Sequence, residues 1–181
     1  MQPTDVYLDS LERVHELVPA VLDGLSSEDI AWRPDADANP IGWLIWHLLR
    51  AWDDHVAEIG GREQVWLADG WEQRFSLPYD RAAVGFGMTS EQVGQFWLDD
   101  PSVLVGYADA VWAMSREVLR GLDQEGLARI IDTRWDPPVT VAARLVSVVI
   151  EVAQHIGQAS YLRGLRERVL GTDSGWKGYP A

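Results

Sequence analysis

The chain has 181 residues, of which 47% are hydrophobic and 24% are charged, and this composition predicts one globular domain with a sizeable buried core. Its 15 basic and 28 acidic residues give a net charge of −13, which argues against nucleic acids and membrane surfaces as partners, because neither would meet a basic surface. There is no cysteine, so disulfides, thiolate metal ligands and a cysteine nucleophile are excluded. No signal peptide and no apolar run of membrane-spanning length is visible, and we expect a cytoplasmic protein.

Two long helices are predicted in the first third of the chain. The first runs from about residue 4 to residue 24, where apolar residues recur every three or four positions. A polar loop leads into the second, residues 41–59, which Gly60 and Gly61 end. This second helix is apolar almost all round, and a helix of that kind is buried on most sides.

Residues 61–100 are predicted to form a long, mostly irregular insertion between the second and third long helices. Short helices are expected near residues 63–68 and 89–98. Residues 62–88 are rich in glycine and aromatic side chains, and connections of this length inside a compact domain usually carry function or cover a site. We interpret them as a lid or wall, or alternatively as a plain cover, and the side chains available to touch a ligand are Trp71, Arg74 and Phe75.

Two further long helices are predicted in the second half of the chain. The third begins at a cap-then-proline pattern around Pro101 and continues to about Leu119. The fourth covers residues 140–168, with Thr140 as its N-cap and an apolar stripe at 4-3-4 spacing. Residues 127–133 fit either a helix or an extended segment.

These patterns predict an all-α fold, an antiparallel four-helix bundle with the long irregular insertion between its second and third long helices. The bundle is expected to occupy residues 1–170. The glycine-rich residues 171–181 are expected to form an irregular tail.

The fourth helix carries two side chains with the chemistry of metal ligands. Glu151 and His155 are spaced i, i+4 and fall in or beside the apolar stripe, so both are expected to face the core. A core-facing carboxylate is costly unless another charge compensates it. His47, inside the apolar run of the second helix, completes the two-histidine, one-glutamate ligand set of an open catalytic zinc site. The spacing alone is weak evidence, and each histidine also fits an ordinary hydrogen-bonded core residue.

Three stretches carry a resemblance to a known family: N-P-I-G-W-L-I-W-H-L at residues 39–48, D-D-H at 53–55 and Q-H-I-G-Q at 154–158. They resemble the DinB superfamily, in particular the actinobacterial DinB-like proteins and the N-terminal domains of mycothiol-dependent maleylpyruvate isomerases. The resemblance extends from the first helix to about Leu170. It implies a four-helix bundle, often dimeric, in which zinc or nickel is held by three side chains, here His47, Glu151 and His155.

Glu151 departs from many DinB-like proteins, which have histidine at the matching position. The glutamate is similar to the branch that uses mycothiol. For that branch the resemblance implies that a low-molecular-weight thiol binds the open metal position, ionises there and attacks an electrophilic small-molecule substrate. A thiol supplied from outside is compatible with a chain that has no cysteine.

Three further residues are candidates for binding and proton transfer. Asp54, about two turns from His47 on the same helix face, is a candidate for orienting a metal ligand or handling a proton, and it also fits a surface carboxylate. Arg50 and Arg144 are candidates for binding a carboxylated substrate. Two other functions stay open: hydrolysis by metal-bound hydroxide, and a non-catalytic bundle that dimerises through an apolar helix face.

Overall fold

The computed structural model describes residues 2–172 and 175–178, and most of these residues are helical, which confirms the predicted predominance of helices. None of the helices in this part of the chain is long and apolar enough to cross a membrane. The helices are α1 (Asp5–Leu22), α2 (Ser27–Ala31), α3 (Ile41–Gly60), α4 (Val65–Ala68), α5 (Trp71–Phe75), α6 (Ser90–Val93), α7 (Ser102–Arg120), α8 (Gln124–Ala128) and α9 (Val141–Leu170). The strands are β1 (Ile130–Asp132) and β2 (Val139–Thr140).

The four long helices α1, α3, α7 and α9 pack around a common core. α3 contacts both α7 and α9, and α1 contacts the same two helices. Each helix contributes fully buried apolar side chains, among them Leu11, Leu49, Val111 and Val152. α1, α7 and α9 each bury an apolar stripe in this way, whereas α3 is buried on most sides and carries polar side chains, among them His47 and Asp53, into the core.

α3 and α9, the helices that carry the predicted metal ligands, lie against each other over much of their length. At the start of α9, Thr140 Oγ1 accepts a hydrogen bond from the amide of Ala143 at 3.2 Å, as predicted for its N-cap. Both helices end at a glycine in the left-handed conformation, Gly61 (φ 60°) and Gly171 (φ 68°). Glycine adopts this conformation without the steric cost of a Cβ atom, so the two helix ends are well defined.

The insertion between α3 and α7 is more ordered than predicted. Its first short helix is α4, near the expected position, whereas α5 was not predicted and α6 is shorter than expected. A helix of four or five residues is too short to show a hydrophobic period, so tertiary packing decides its existence. Here the packing is aromatic: the rings of Trp66 and Phe75 lie 5.1 Å apart, and Phe75 lies 5.6 Å from Tyr107 of α7.

A short antiparallel hairpin, which the sequence did not predict, precedes α9. Ile130 of β1 lies opposite Thr140, Asp132 lies opposite Val139, and the register changes between these two pairs. Strands of three and two residues are too short for an alternating pattern to stand out. The unassigned residues 127–133 therefore divide between the end of α8 and strand β1.

The predicted tail, residues 171–181, lies only partly within the described residues, because 173–174 and 179–181 fall outside them. In the described part, Trp176 donates a hydrogen bond from Nε1 to the carbonyl oxygen of Ser160 at 3.1 Å. This contact holds the described end of the chain against α9.

Candidate metal centre

His47 lies in the first half of α3, where almost every residue is buried. Its ring stacks on that of Trp43 one turn earlier, with centroids 4.8 Å apart and an interplanar angle of 23°. Packing on this scale leaves little freedom for the ring. The Nε2 atom of His47 faces α9, where it meets Glu151.

Glu151 and His155 come from neighbouring turns of α9, and Glu151 Oε1 lies 3.2 Å from His155 Nε2. The i, i+4 spacing brings two such side chains together on any regular helix. The side chain of His155 is 16% exposed and that of Glu151 is 38% exposed. Glu151 points toward α3, as predicted, but its carboxylate lies at the rim of the core and is not buried within it, so water reduces the cost of its charge.

The three side chains meet at one point between α3 and α9. His47 Nε2 is 3.2 Å from Glu151 Oε1, and the rings of His47 and His155 lie 4.7 Å apart at 69°. One ligand atom from each residue lies within 4.8 Å of the others. Two nitrogen ligands of a tetrahedral zinc ion are roughly 3.3 Å apart, given zinc–nitrogen bonds of about 2.0–2.1 Å, so these separations approach the spacing of a metal site.

The other ring nitrogen of each histidine is held by an oxygen that can only accept a hydrogen bond. His47 Nδ1 donates to the carbonyl of Val84, and His155 Nδ1 donates to Gln158 Oε1 at 2.8 Å. A neutral imidazole with its proton on Nδ1 has a lone pair on Nε2. Two lone pairs and a carboxylate oxygen then face one another with no donor among them, an arrangement that a cation stabilises.

The environment of His47 favours its neutral ring. Burial lowers the pKa of His47, the Val84 carbonyl raises it, and the neighbouring His155 lowers it again; the net shift is downward. The neutral ring is the form that binds a metal. The residues present therefore fit a metal cation better than an additional proton.

The sequence model of the DinB superfamily matches residues 10–159 of this chain. The matched range contains α3, α7, most of α1 and α9, and all three side chains of the centre. The chain belongs to the DinB superfamily. The resemblance seen in the sequence motifs is thereby confirmed.

The fold of this DinB protein is also similar to the crystal structure of a conserved protein from Enterococcus faecalis. The TM-score is 0.86 and the sequence identity is 27%, over 95% of this chain and 99% of that chain. No curated protein matches the chain.

Asp54 lies outside the group of three side chains. Its Oδ1 accepts a hydrogen bond from Gln64 Nε2 at 2.6 Å, and its Oδ2 is 3.7 Å from His55 Nδ1. Burial lowers the pKa of His55, as does the charge of Arg144, while Asp54, Glu58 and Glu151 raise it. His55 is thus within electrostatic reach of both Asp54 and Glu151, and the proton-handling role of Asp54 stays a prediction.

Arg144 lies two turns before Glu151 on α9. Its Nη2 donates to Asp132 Oδ2 at 3.1 Å, and its Nε is 3.9 Å from Glu58 Oε2. These contacts join α9 to the hairpin and to α3. Its predicted contact with a substrate carboxylate stays a prediction.

Arg50 is 1% exposed and fully engaged with protein groups. Its Nε donates to the carbonyl of Ala83 and its Nη1 to the hydroxyl of Tyr107, both at 3.2 Å. Its Nη1 lies 3.6 Å from Asp53 Oδ2, and the guanidinium lies 4.7 Å over the ring of Trp66. A substrate carboxylate would have to displace these partners, so that predicted role also stays a prediction.

Asp53 supplies the negative charge that compensates the buried positive charge of Arg50. Burial raises the pKa of Asp53, and hydrogen bonds from the Trp66 amide (2.9 Å), the Tyr107 hydroxyl (2.8 Å) and the Val65 amide (3.0 Å) oppose that rise. Burial also raises the pKa of Tyr107 well above its ordinary value, which keeps its hydroxyl a donor. A buried ion pair with these added hydrogen bonds is tolerated in a core, whereas either charge alone is not.

The insertion reaches the centre through Val84 and Gly85, which the sequence did not single out. A Cβ atom on Gly85 would lie 2.6 Å from His47 Nδ1. In the sequence, the glycine-rich run A-V-G-F-G could have drawn attention to Val84 and Gly85. The Q-H-I-G-Q motif could have drawn attention to Gln158, the partner of His155. The three side chains predicted to touch a ligand pack against one another, the core or α7 instead: Trp71, Arg74 and Phe75.

Proposed function

We propose that this DinB protein is a metal-dependent enzyme that binds one divalent cation, zinc or nickel, through His47, Glu151 and His155. The observation that carries the proposal is the convergence of one ligand atom from each of two histidines and one glutamate within 4.8 Å of one another. Three such ligands leave positions for water or substrate on the cation. Because Glu151 and His155 are partly exposed, a small molecule can approach from solvent.

We further propose that the protein is a low-molecular-weight-thiol S-transferase, with mycothiol or a similar thiol as co-substrate. Two neutral imidazoles and one carboxylate leave a divalent cation with one uncompensated positive charge, which a thiolate neutralises. The chain has no cysteine, so a sulfur nucleophile has to come from a bound small molecule. Glutamate at position 151, similar to the mycothiol-linked branch, supports the same choice.

When bound, the cation would deprotonate the thiol at neutral pH. The transfer forms a bond between the thiol sulfur and an electrophilic carbon and breaks the bond from that carbon to its leaving group, which departs as an anion, while a base of the protein takes up the thiol proton. Asp54, with His55 beside it, is the proposed acceptor of that proton. Arg144, two turns from Glu151, is the proposed partner of a substrate carboxylate, and for Arg50 the same contact requires its present partners to separate.

The test is a thiol-consumption assay with zinc-loaded protein, mycothiol and an activated haloarene as the electrophile. We expect the parent and His15→Ala to consume thiol and haloarene in equal amounts, and Glu151→Gln to be inactive. His15 is the matched control because it pairs with Asp109 and stacks on Trp112, outside the centre. Ester hydrolysis without a thiol requirement would indicate the hydrolase, and metal binding without turnover the non-catalytic bundle; either result contradicts S-transfer.

We propose that the protein forms a homodimer through the outer face of α9 and α1. Val146, Ile150 and Tyr161 are exposed and recur at helical spacing on this face of α9. A groove of about 760 Å³, lined in part by Val14 and Leu17 of α1, runs beside them. An apolar surface of this extent on a soluble domain is typical of an interface between subunits.

The finer features of the predicted architecture are proposals of the same kind. They are the antiparallel order of the four long helices, a DinB-type domain that ends at residue 170, and a cytoplasmic location. α3 and α1 each contact both α7 and α9, as in a four-helix bundle, which supports the proposed order of the helices. The left-handed glycine that ends α9 supports the proposed end of the domain. The cytoplasm keeps small thiols reduced, as the proposed reaction requires.

A further inference from the structure

Residues 81–85, which we call the carbonyl strap, cross the surface of α3 beside the centre. Two of the strap's carbonyls accept hydrogen bonds from buried side chains. Trp66 Nε1 donates to the carbonyl of Arg81 at 2.9 Å, and Arg50 Nε donates to the carbonyl of Ala83 at 3.2 Å. The strap is irregular in secondary structure, so these bonds, rather than a helix or sheet ladder, determine its path.

The far end of the carbonyl strap lies on the ring of His47. The Val84 carbonyl accepts the proton of His47 Nδ1. The next residue, Gly85, has φ +94° and leaves only 2.6 Å between His47 Nδ1 and the place a Cβ would take. Trp43 stacks on the ring of His47, and its Cζ2 atom lies 3.1 Å from the same position that a Cβ of residue 85 would take. The ring is therefore enclosed by Trp43 and the strap.

The middle of the carbonyl strap is attached to Arg50, a buried side chain of α3. Arg50 is held by Tyr107 at 3.2 Å and by Asp53 at 3.6 Å, and its guanidinium lies 4.7 Å over the ring of Trp66. Asp53 in turn accepts hydrogen bonds from the amide of Trp66 and the hydroxyl of Tyr107. Arg50 and Trp66, the two side chains that donate hydrogen bonds to the strap, are therefore themselves held in place by other buried groups.

We propose that Arg50 is a positioning residue which, through the carbonyl strap, orients His47 and keeps the proton on its Nδ1. The Nε2 lone pair then faces Glu151 and His155, as metal binding requires. The inference rests on the proposed metal centre for its functional consequence, although the state of the His47 ring is measurable without metal. In this role Arg50 acts without any substrate present, so the role can be distinguished by experiment from the binding of a substrate carboxylate by Arg50.

The first test compares Gly85→Ala with Gly87→Ala. Both glycines have positive φ, +94° and +74°, so both variants carry the same kind of backbone strain. A Cβ at Gly85 meets His47, whereas a Cβ at Gly87 meets nothing within 4 Å. The readouts are the ring ¹⁵N chemical shifts of His47 in metal-free protein and the zinc dissociation constant by competition with a chromophoric chelator.

We expect the parent and Gly87→Ala to show His47 protonated on Nδ1 and to bind zinc equally. Gly85→Ala is expected to lose that tautomer and to bind zinc about 10- to 100-fold more weakly, the usual effect of disturbing a group that orients a ligand. Equal zinc affinity in the two variants, or an unchanged His47 tautomer in Gly85→Ala, would overturn the proposal. A parent that shows the Nδ1 tautomer but binds no zinc would instead overturn the metal centre.

The second test is Arg50→Lys, which keeps the positive charge beside Asp53 but cannot reproduce the forked contacts of a guanidinium. Its fold is checked by circular dichroism and its centre by the visible spectrum of bound Co²⁺. We expect a folded variant with the same weakened zinc binding as Gly85→Ala and an altered Co²⁺ spectrum, with no substrate present. A folded variant with the parent's spectrum and affinity would show that Arg50 does not position His47.

Discussion

Each histidine of the centre directs its Nε2 atom toward the other ligands and forms a hydrogen bond through its Nδ1 atom with an oxygen of the protein. The two oxygens differ in kind. His47 is held by a main-chain carbonyl, which no substitution removes. His155 is held by the side chain of Gln158, which is exposed and replaceable. The contribution of ligand orientation to metal affinity is therefore best measured at His155.

Gln158→Ala is expected to weaken zinc binding by about 10- to 100-fold, because the free ring of His155 can rotate and exchange tautomers. Gln154→Ala is the matched control, since Gln154 is an exposed glutamine on the same helix with no part in the centre. Zinc competition titrations of both variants provide the measurement. Equal affinities would mean that Gln158 does not orient the ligand.

The three proposed metal ligands could be predicted from the sequence, whereas the groups that hydrogen-bond to the two histidines and orient them could not. Glu151 and His155 meet because i, i+4 residues are neighbours on every helix, and His47 stood out as a histidine in an apolar run. Val84 reaches His47 only because buried donors in α3 and α4 direct the path of the strap. A contact of that kind depends on tertiary structure and leaves no periodic pattern in the sequence.

At the scale of elements, the β-hairpin and α9 are joined by one buried carboxylate. Asp132 is 5% exposed and accepts hydrogen bonds from Arg134 Nη2 at 2.8 Å and Arg144 Nη2 at 3.1 Å. Hydrogen bonds from the Arg134 side chain and amide are the main reason that the pKa of Asp132 lies well below its ordinary value. The sequence did not predict the hairpin because its strands are short. Asp132, which attaches the hairpin to α9, is nevertheless bonded to two arginines.

Asp132→Asn is expected to lower the melting temperature at neutral pH. A depressed pKa means that the carboxylate stabilises the folded state fully above the unfolded value of about 3.9 and loses this effect as the pH falls toward the folded value. The difference in melting temperature between parent and variant should be constant from about pH 7 to 5 and should narrow from about pH 4 to 3.

Glu117→Gln provides the control for this series. Glu117 forms an ion pair with Arg62 at 2.9 Å, but its side chain is 74% exposed, and exposed pairs contribute little. Its melting temperature should follow that of the parent throughout. If the Asp132→Asn difference does not narrow in acid, the ionised carboxylate is not what holds the hairpin to α9.

At the scale of the whole molecule, exposed apolar side chains of α9 lie beside a groove that α1 also lines. A net charge of −13 keeps copies of the chain apart, so a stable homodimer needs a contact that outweighs this repulsion. The face containing Val146, Ile150 and Tyr161 offers such a contact. The sequence could show the apolar stripes of α9, but which stripe is left exposed depends on how the helices pack.

Ile150→Glu is expected to convert a dimeric parent into a monomer, because it places a charge within the apolar face. Ile130→Glu is the matched control: Ile130 is 54% exposed and Ile150 51%, but Ile130 lies in the hairpin. Size-exclusion chromatography with light scattering measures the mass of each. A monomeric parent, or a dimeric Ile150→Glu, would rule out this interface.

The central claim, a metal centre at His47, Glu151 and His155, is tested most directly by metal content after equilibrium dialysis against zinc. The samples are the parent, His155→Ala and His15→Ala, the last altering a histidine outside the centre. About one zinc per chain is expected in the parent and His15→Ala, and a background level in His155→Ala with unchanged helical circular dichroism. Zinc retained in full by His155→Ala, or absent from the parent, would contradict the centre.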